Sequence, residues 1–487
     1  MSLAQKAARG ALWAVISSMG GRAVGVIGTL VMTRFLHPEQ IGEVSDAVIL
    51  TFSASWLTIW GFGQYAVVKG RGPDAAEVTW HATVFYTVLG VVSLGGIALL
   101  GGPLTRFLDA PKAAEYIPLM ALATFIRRLG AMPERVLVRE LKFRASGMAN
   151  LMGEMSYTVA AVAFAWAGHG GWSIIYANII QSCVAVFVLI RAAGFASWAT
   201  PTPLRLARIK DMLKFGLPLG IQGIAHSASR YWDNLAISHF FGTAPLGIYN
   251  MAYNLADIPA IQVGEQIALV LMPSMAELPK DRRAGALERS TAMLSLVIFP
   301  LAIGLGLVAY PLIGLLLPAN KWQEVAPLLA VLACLSVFRP IMWVLSAYLE
   351  AELKTNRLMF LEIGKVVLLL GGIAVVYPYG LRVAAGAVGV AFGLTSVAGV
   401  LMVMREGPSP ARLVGGFVRP LLACAVMGLV VWGVHAGLVL VDLDHPAVLL
   451  SAMIVTGAIA YVAAAFVVCR DTVRDVLGML KKAVKRS

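Results

Sequence analysis

The chain alternates long apolar runs with short polar breaks. A hydrocarbon layer is crossed by about 20 mostly apolar residues in a helix, and backbone there must satisfy its own hydrogen bonds. Runs of that length predict helices near 11–36, 41–65, 79–102, 116–138, 148–168 and 172–193. A second set follows near 212–238, 246–272, 291–317, 325–349, 358–379 and 383–404. Two more, near 418–440 and 447–469, bring the number to fourteen. The predicted fold class is an all-α polytopic membrane protein.

Composition agrees. Of 487 residues 59% are apolar and 13% charged, about half the charge of an ordinary soluble domain. Too few charges remain to clothe a water-soluble surface, which excludes a soluble enzyme. The 39 Lys and Arg against 26 Asp and Glu leave +13. A nucleic-acid partner would need basic patches on a soluble face, so none is expected. Instead the cations mark one side of the membrane, as cytoplasmic loops do. With an inside N-terminus, 28 of them fall on cytoplasmic loops and the tail, and only Arg106, Lys112, Lys321 and Arg382 on the opposite loops. An even number of crossings with both termini cytoplasmic follows. The first run is too long for a signal peptide and carries Arg22, so it reads as a retained span.

Cys183, Cys334, Cys424 and Cys469 show no paired spacing, so neither disulfides nor metal are expected. The tail sets Val473, Val476, Leu477, Leu480 and Val484 on one helical face with Lys and Arg opposite. That pattern suits a helix lying on anionic membrane lipids. No loop is long enough to fold as a catalytic domain, and phosphate loops and nucleophile elbows are absent. Asp442 and Asp444 resemble the Asp-x-Asp of sugar-phosphate enzymes but sit in a short last loop. No catalytic residue is assigned.

The segment 34–42 resembles 239–247: Phe35/Phe240, Leu36/Phe241, Ile41/Leu246, Gly42/Gly247 and Ala47/Ala252 match at an offset of 205. Each copy is the turn between the first two spans of a six-span set. Six spans per copy predict a parallel repeat of the transporter kind. The expected organisation is a first lobe in 1–205, a second in 206–404, two further spans in 405–470 and a basic amphipathic tail in 471–487.

These residues carry a family resemblance. Ala8-Arg-Gly-Ala-Leu-Trp13, the Arg34-Phe-Leu turn and Leu137-Val-Arg-Glu-Leu-Lys-Phe-Arg144 resemble bacterial polysaccharide flippases. So do Lys214-Phe-Gly-Leu-Pro218, Arg230-Tyr-Trp-Asp233 and Gly247-Ile-Tyr-Asn-Met-Ala-Tyr253. These are the O-antigen and exopolysaccharide exporters of the multidrug/oligosaccharidyl-lipid/polysaccharide exporter superfamily. The resemblance implies two six-helix lobes around an alternately opening cavity. It also implies movement of undecaprenyl-pyrophosphate-linked oligosaccharide to the outer leaflet, with polysaccharide polymerase and export proteins as partners. It further implies a groove for the lipid tail at the last two spans. Lipid II flippases, a sister group, carry one arginine in Ser-Arg-x-x-Gly and a second six residues later. Gly21-Arg22-Ala-Val-Gly25 holds the first, but position 28 is Gly, which points away from lipid II.

A charge at mid-bilayer costs at least about 2.5–3.5 kcal/mol and normally faces protein or water. Gln222, His226, Arg230 and Asp233 share one helical face, as do Asn250, Asn254 and Asp257 with Glu265 beyond them. Arg339, Trp343 and Ser346 line the tenth span, while Arg22, Glu154 and Arg127/Arg128 charge the first lobe. The candidate substrate-binding residues are Arg22, Arg127, Arg128, Arg230, Asp233, Asn254 and Arg339. Arg suits a pyrophosphate through bidentate charge-assisted bonds. Trp56, Trp60, Tyr231, Trp232 and Tyr253 offer faces to sugar rings, or are packing and belt residues. Arg230–Asp233 and Glu362–Lys365 are alternatively interhelical pairs. Asp46, Glu154, Asp257 and Glu265 are candidates for H⁺ or Na⁺ coupling; no other cofactor is expected. The rival functions are a multidrug cation antiporter, disfavoured by seven intramembrane cations, and a membrane glycosyltransferase or polymerase.

Overall fold

The computed structural model describes residues 20–70, 73–140, 142–259, 275, 278–352, 354–404 and 407–484. Among them every regular element is a helix. The predicted span 11–36 begins outside the described residues and continues as α1 (Gly20–Met32). Span 41–65 is two helices, α2 (Pro38–Trp56) and α3 (Phe62–Lys69), separated by Gly61 at φ 67°. Then come α4 (Ala75–Phe107), α5 (Ala113–Leu129), α6 (Ala131–Arg139), α7 (Phe143–Trp166), α8 (Trp172–Ala193) and α9 (Leu206–Phe241). The chain goes on through α10 (Thr243–Pro259), α11 (Lys280–Leu307), α12 (Ala309–Leu316), α13 (Ala319–Trp322), α14 (Val325–Leu335) and α15 (Arg339–Ala351). It ends with α16 (Thr355–Val376), α17 (Leu381–Met404), α18 (Pro410–Leu440), α19 (Pro446–Val468) and α20 (Arg470–Val484).

Among the described residues eight stretches are long and apolar enough to cross a membrane: α4, α8, α11, the α14–α15 run and α16 to α19. α7 and α9 have the length but carry Glu154 in one case and Arg230 with Asp233 in the other. Outward positions are apolar, with Leu99 85%, Leu440 84% and Val467 80% exposed. Continuous apolar exterior of this kind is matched to lipid rather than water. Hydroxyls inside the spans bond back to their own helix, as Thr51 Oγ1 does to the Ala47 carbonyl at 2.6 Å and Thr395 Oγ1 to that of Ala391 at 2.8 Å. Such back-bonding lets an apolar interior hold serine and threonine.

Packing divides the chain after Gly247 into two units, so α9 packs with the first. That unit is centred on a cluster including Val44, Leu50, Leu94, Ile117, Met120 and Ile175, from α2, α4, α5 and α8. The duplicated turn lies within it. A Cβ on Gly42 would overlap the Thr243 carbonyl, and one on Gly247 would overlap the Pro38 carbonyl. Each glycine faces the residue four before the other, so the two copies of the motif cross as a symmetric pair with no room for a side chain. The sequence match at these positions therefore has a physical reason.

In the second unit α11 is central. Leu294, Ile298, Leu345, Leu349 and Val403 form one core around it. Phe299, Met427, Val431, Met453 and Tyr461 form another, and there the Tyr461 hydroxyl donates to the Leu296 carbonyl at 2.6 Å. The last two long helices are thus packed onto α11. Val473 and Val476 of α20 join the same cluster, while Leu477 stays 41% exposed.

Candidate functional site

Charged and polar residues gather at several places, each inside one unit. In the first unit α1 presents Gly21, Gly25 and Gly28 to α7, where Glu154 and Thr158 fill the space a Cβ would need. Gln181 of α8 donates to Glu154 Oε1 at 2.8 Å. Glu154 also lies within electrostatic reach of Arg127 and Arg22. Arg22, Arg127 and Glu154 thus meet in this polar region. Arg127 is additionally near Glu134, whose Oε1 accepts from Ser146 at 3.0 Å.

Arg128 is differently employed. Its Nε donates to the Tyr86 carbonyl at 2.8 Å, Nη1 to Ser55 O and Oγ at 3.2 Å, and Nη2 to Thr58 O at 3.2 Å. The guanidinium lies 4.0 Å from the Tyr86 ring centre. It therefore closes the C-terminal end of α2, where exposed carbonyls attract a cation. Gly90 makes the slot: a Cβ there would stand 2.5 Å from Arg128 Cδ.

Along α9 the side chains of Gln222 and His226 lie outside the described residues. Arg230 sits 5.8 Å from the Tyr231 ring centre. Asp233 is fully buried and accepts from the Asn234 backbone at 2.9 Å and from its side-chain amide at 3.0 Å. Ser238 donates to Asp46 Oδ2 at 2.5 Å, joining α9 to α2, and Trp232 Nε1 donates to Ser53 Oγ at 3.3 Å. Asp46 is fully buried, and its Oδ1 has no hydrogen-bond partner among the described residues. On the loop before α5, Lys112 pairs with Glu43 at 3.3 Å and Glu39 at 3.4 Å. The hydrogen bond to Glu43, above all, raises that exposed ammonium beyond its ordinary range.

The second unit holds a charge-balanced cluster. Arg339, at the start of α15, pairs with Asp257 of α10 and lies 5.1 Å from the ring centres of Tyr253 and Phe392. Lys365 pairs with Glu362 at 2.7 Å and approaches the same Phe392 ring at 5.2 Å. Two cations and two carboxylates cancel. Asn254 points elsewhere, is exposed, and donates to Asn250 Oδ1 at 2.6 Å. Glu265 lies outside the described residues.

The aromatic candidates mostly pack. Trp60 fits against Gly220 and donates to the Leu57 carbonyl at 2.7 Å, Trp56 lies against Gly223, and Tyr253 is buried beside Tyr249. Sequence reasoning missed Gln181, Ser238 and Phe392. Gln181 left a signal, an amide inside an apolar run, whereas a lone serine or phenylalanine leaves none.

Residues 31–327 match the family described as polysaccharide biosynthesis protein. The chain belongs to that family. It is 27% identical over 328 residues to the succinoglycan biosynthesis transport protein ExoT of Rhizobium meliloti (strain 1021). That match covers 66% of this chain and 64% of the relative, just under two thirds of its length. It is 22% identical to the lipopolysaccharide biosynthesis protein WzxC of Escherichia coli (strain K12), across 82% of this chain and 79% of the relative. Among solved structures, lipid II flippase MurJ in an inward closed conformation superimposes with a TM-score of 0.76 at 13% identity. It covers 95% of this chain and all of that one. An inward-facing MATE multidrug transporter gives 0.66 at 16% identity, over 78% of this chain and 94% of the other. The fold is thus one shared by MurJ and MATE transporters.

Proposed function

We propose that this protein is a flippase that moves an undecaprenyl-pyrophosphate-linked oligosaccharide from the cytoplasmic to the outer leaflet of a bacterial inner membrane, by alternating access. Family membership carries the reading, because relatives across most of the chain are named for the transport or biosynthesis of surface polysaccharides. Fourteen crossings with both termini cytoplasmic complete the topology, as the distribution of loop cations requires. Arg22 and Arg127 beside Glu154 offer guanidinium groups that suit a pyrophosphate. Arg230 adds a further cation on α9.

A cation-antiport reading for multidrug cargo is opposed by these guanidinium groups, and Arg339, Lys365, Asp257 and Glu362 in the second unit leave no net negative charge to attract a cation. Asp46, with an unused buried acceptor, is the candidate for holding the H⁺ or Na⁺ that drives transport.

The test is export in cells and in proteoliposomes loaded with lipid-linked oligosaccharide. Arg22→Ala and Arg230→Ala should each impair export while the protein still inserts. Normal surface polysaccharide in the double variant would refute the cationic site. Transport indifferent to both H⁺ and Na⁺ gradients would remove Asp46 from the mechanism.

A further inference from the structure

One cavity lies away from all these charges. It is a cup of about 470 Å³ in the second unit, framed by α12, α13, the start of α14 and the first turn of α17. Its volume falls within the roughly 300–1,000 Å³ of small-molecule sites. Tyr310, Gln323, Glu324 and Arg382 line it, over a floor that includes Ile313 and Pro327. Among the described residues none of these four side chains has a hydrogen bond or ion pair within the protein. Tyr310 is 61% exposed, so its ring face is free.

The cup is held in shape from below. Trp322, next to Gln323, is fully buried, and so are Val325 and Leu329 one and two turns on. A solvated loop would carry the same polar residues without such an anchor. A tyrosine of the interfacial belt would need neither a charged pair nor a concave wall. Lys321 and Arg382 belong to the sparse cations of the outer loops, which puts the cup at the outer face.

We propose that this cup is a saccharide-binding subsite that receives sugar rings of the oligosaccharide after delivery to the outer leaflet. The Tyr310 ring covers the apolar C–H face of a pyranose. Glu324 accepts from neighbouring hydroxyls, Arg382 donates to hydroxyl and ring oxygens, and the Gln323 amide does both. Acid and base together suit polyhydroxyl recognition better than binding of a bare anion. The inference rests on the flippase reading and deepens it, assigning a holding site at the exit.

The experiment uses full-length protein in nanodiscs and, as probe, the producing strain's own repeat-unit oligosaccharide freed from its lipid by mild acid. Saturation-transfer NMR should detect saturable binding, weakened about tenfold or more in Tyr310→Ala and in Arg382→Ala. Tyr310→Phe should retain it, and Tyr461→Phe, which removes only a buried bond to the Leu296 carbonyl, should leave it unchanged. Variants that unfold early are replaced by Glu324→Gln, which should also weaken binding. Absence of saturable binding, or affinity equal to wild type in Tyr310→Ala, Arg382→Ala and Glu324→Gln, overturns the subsite. Proteoliposome flipping is measured in parallel. Flipping without oligosaccharide binding overturns the subsite alone, while a wild-type protein that does not flip lipid-linked oligosaccharide overturns the functional reading.

Discussion

Removing one partner of the Arg339–Asp257 pair should destabilise the second unit severely, and removing both should restore most of the loss. The side chains are 14% and 8% exposed, so solvent screens the pair little. An exposed pair would contribute about 0–1 kcal/mol. Stripping one member of a buried pair strands a charge and costs about 3–5 kcal/mol. The neighbours sharpen the asymmetry. Without Asp257, Arg339 faces the Lys365 ammonium across the Phe392 ring; without Arg339, Asp257 loses the cation it is bonded to. The unit is residues 248 to 487, a size at which 1 kcal/mol shifts a midpoint by about 2–4 °C. Asp257→Asn and Arg339→Gln should each lower the apparent midpoint by about 6–20 °C. The double variant, whose buried groups are neutral amides, should return to within a few degrees of wild type. Midpoints are read by heating detergent-solubilised protein and following the monodisperse fraction by size-exclusion fluorescence. Single variants as stable as wild type would refute the burial argument. A double variant as damaged as the two singles combined would refute the coupling.

Three further changes test other elements. Gly42→Ala and Gly247→Ala should each destabilise by about 1–3 kcal/mol or more, since the added methyl overlaps backbone that cannot rotate away; similar losses in thermal midpoint would match their symmetric contact. Gly90→Ala should behave like Arg128→Met, because either removes the guanidinium from the Ser55, Thr58 and Tyr86 carbonyls, and their combination should cost little more than one alone. Tyr461→Phe should lower the midpoint by the equivalent of about 0.5–1.5 kcal/mol through the hydroxyl's bond to Leu296, leaving export intact at growth temperature.

How much of this was legible in the sequence depends on which force wrote it. Lipid demands a run of apolar residues, and a run is a one-dimensional signal, so over the described residues helices lie along the predicted stretches; the ends of spans 11–36 and 246–272 fall outside them. Interruptions inside a run cost little hydropathy and passed unseen. Spans 41–65 and 116–138 each contain two helices, and 325–349 contains a short 3-10 turn between α14 and α15. Pro340, at the second position of α15, could have marked that last break, because a proline lacks the N–H an interior position needs and is tolerated in a helix's first turn. The duplicated glycines were legible because a close backbone crossing tolerates one residue type.

Charge partners were not legible in the same way. Helical spacing shows which side chains share a face, not which face of another helix they meet. Seven intramembrane cations therefore read as one cationic lining. Packing assigns them to different tasks: Arg339 and Lys365 are neutralised by Asp257 and Glu362, and Arg128 is spent on carbonyls at the end of α2. A sum of charges over a membrane protein is thus a poor guide to cargo until each buried cation has been matched to its acceptors. Once Arg128, Arg339 and Lys365 are matched, the candidates left for cargo are Arg22 and Arg127 near Glu154 and Glu134, with Arg230 on α9. Those are the residues whose removal should change export more than stability. The reverse holds for Arg128, whose bonds to Ser55, Thr58 and Tyr86 are made within the protein and leave little of its guanidinium for a ligand.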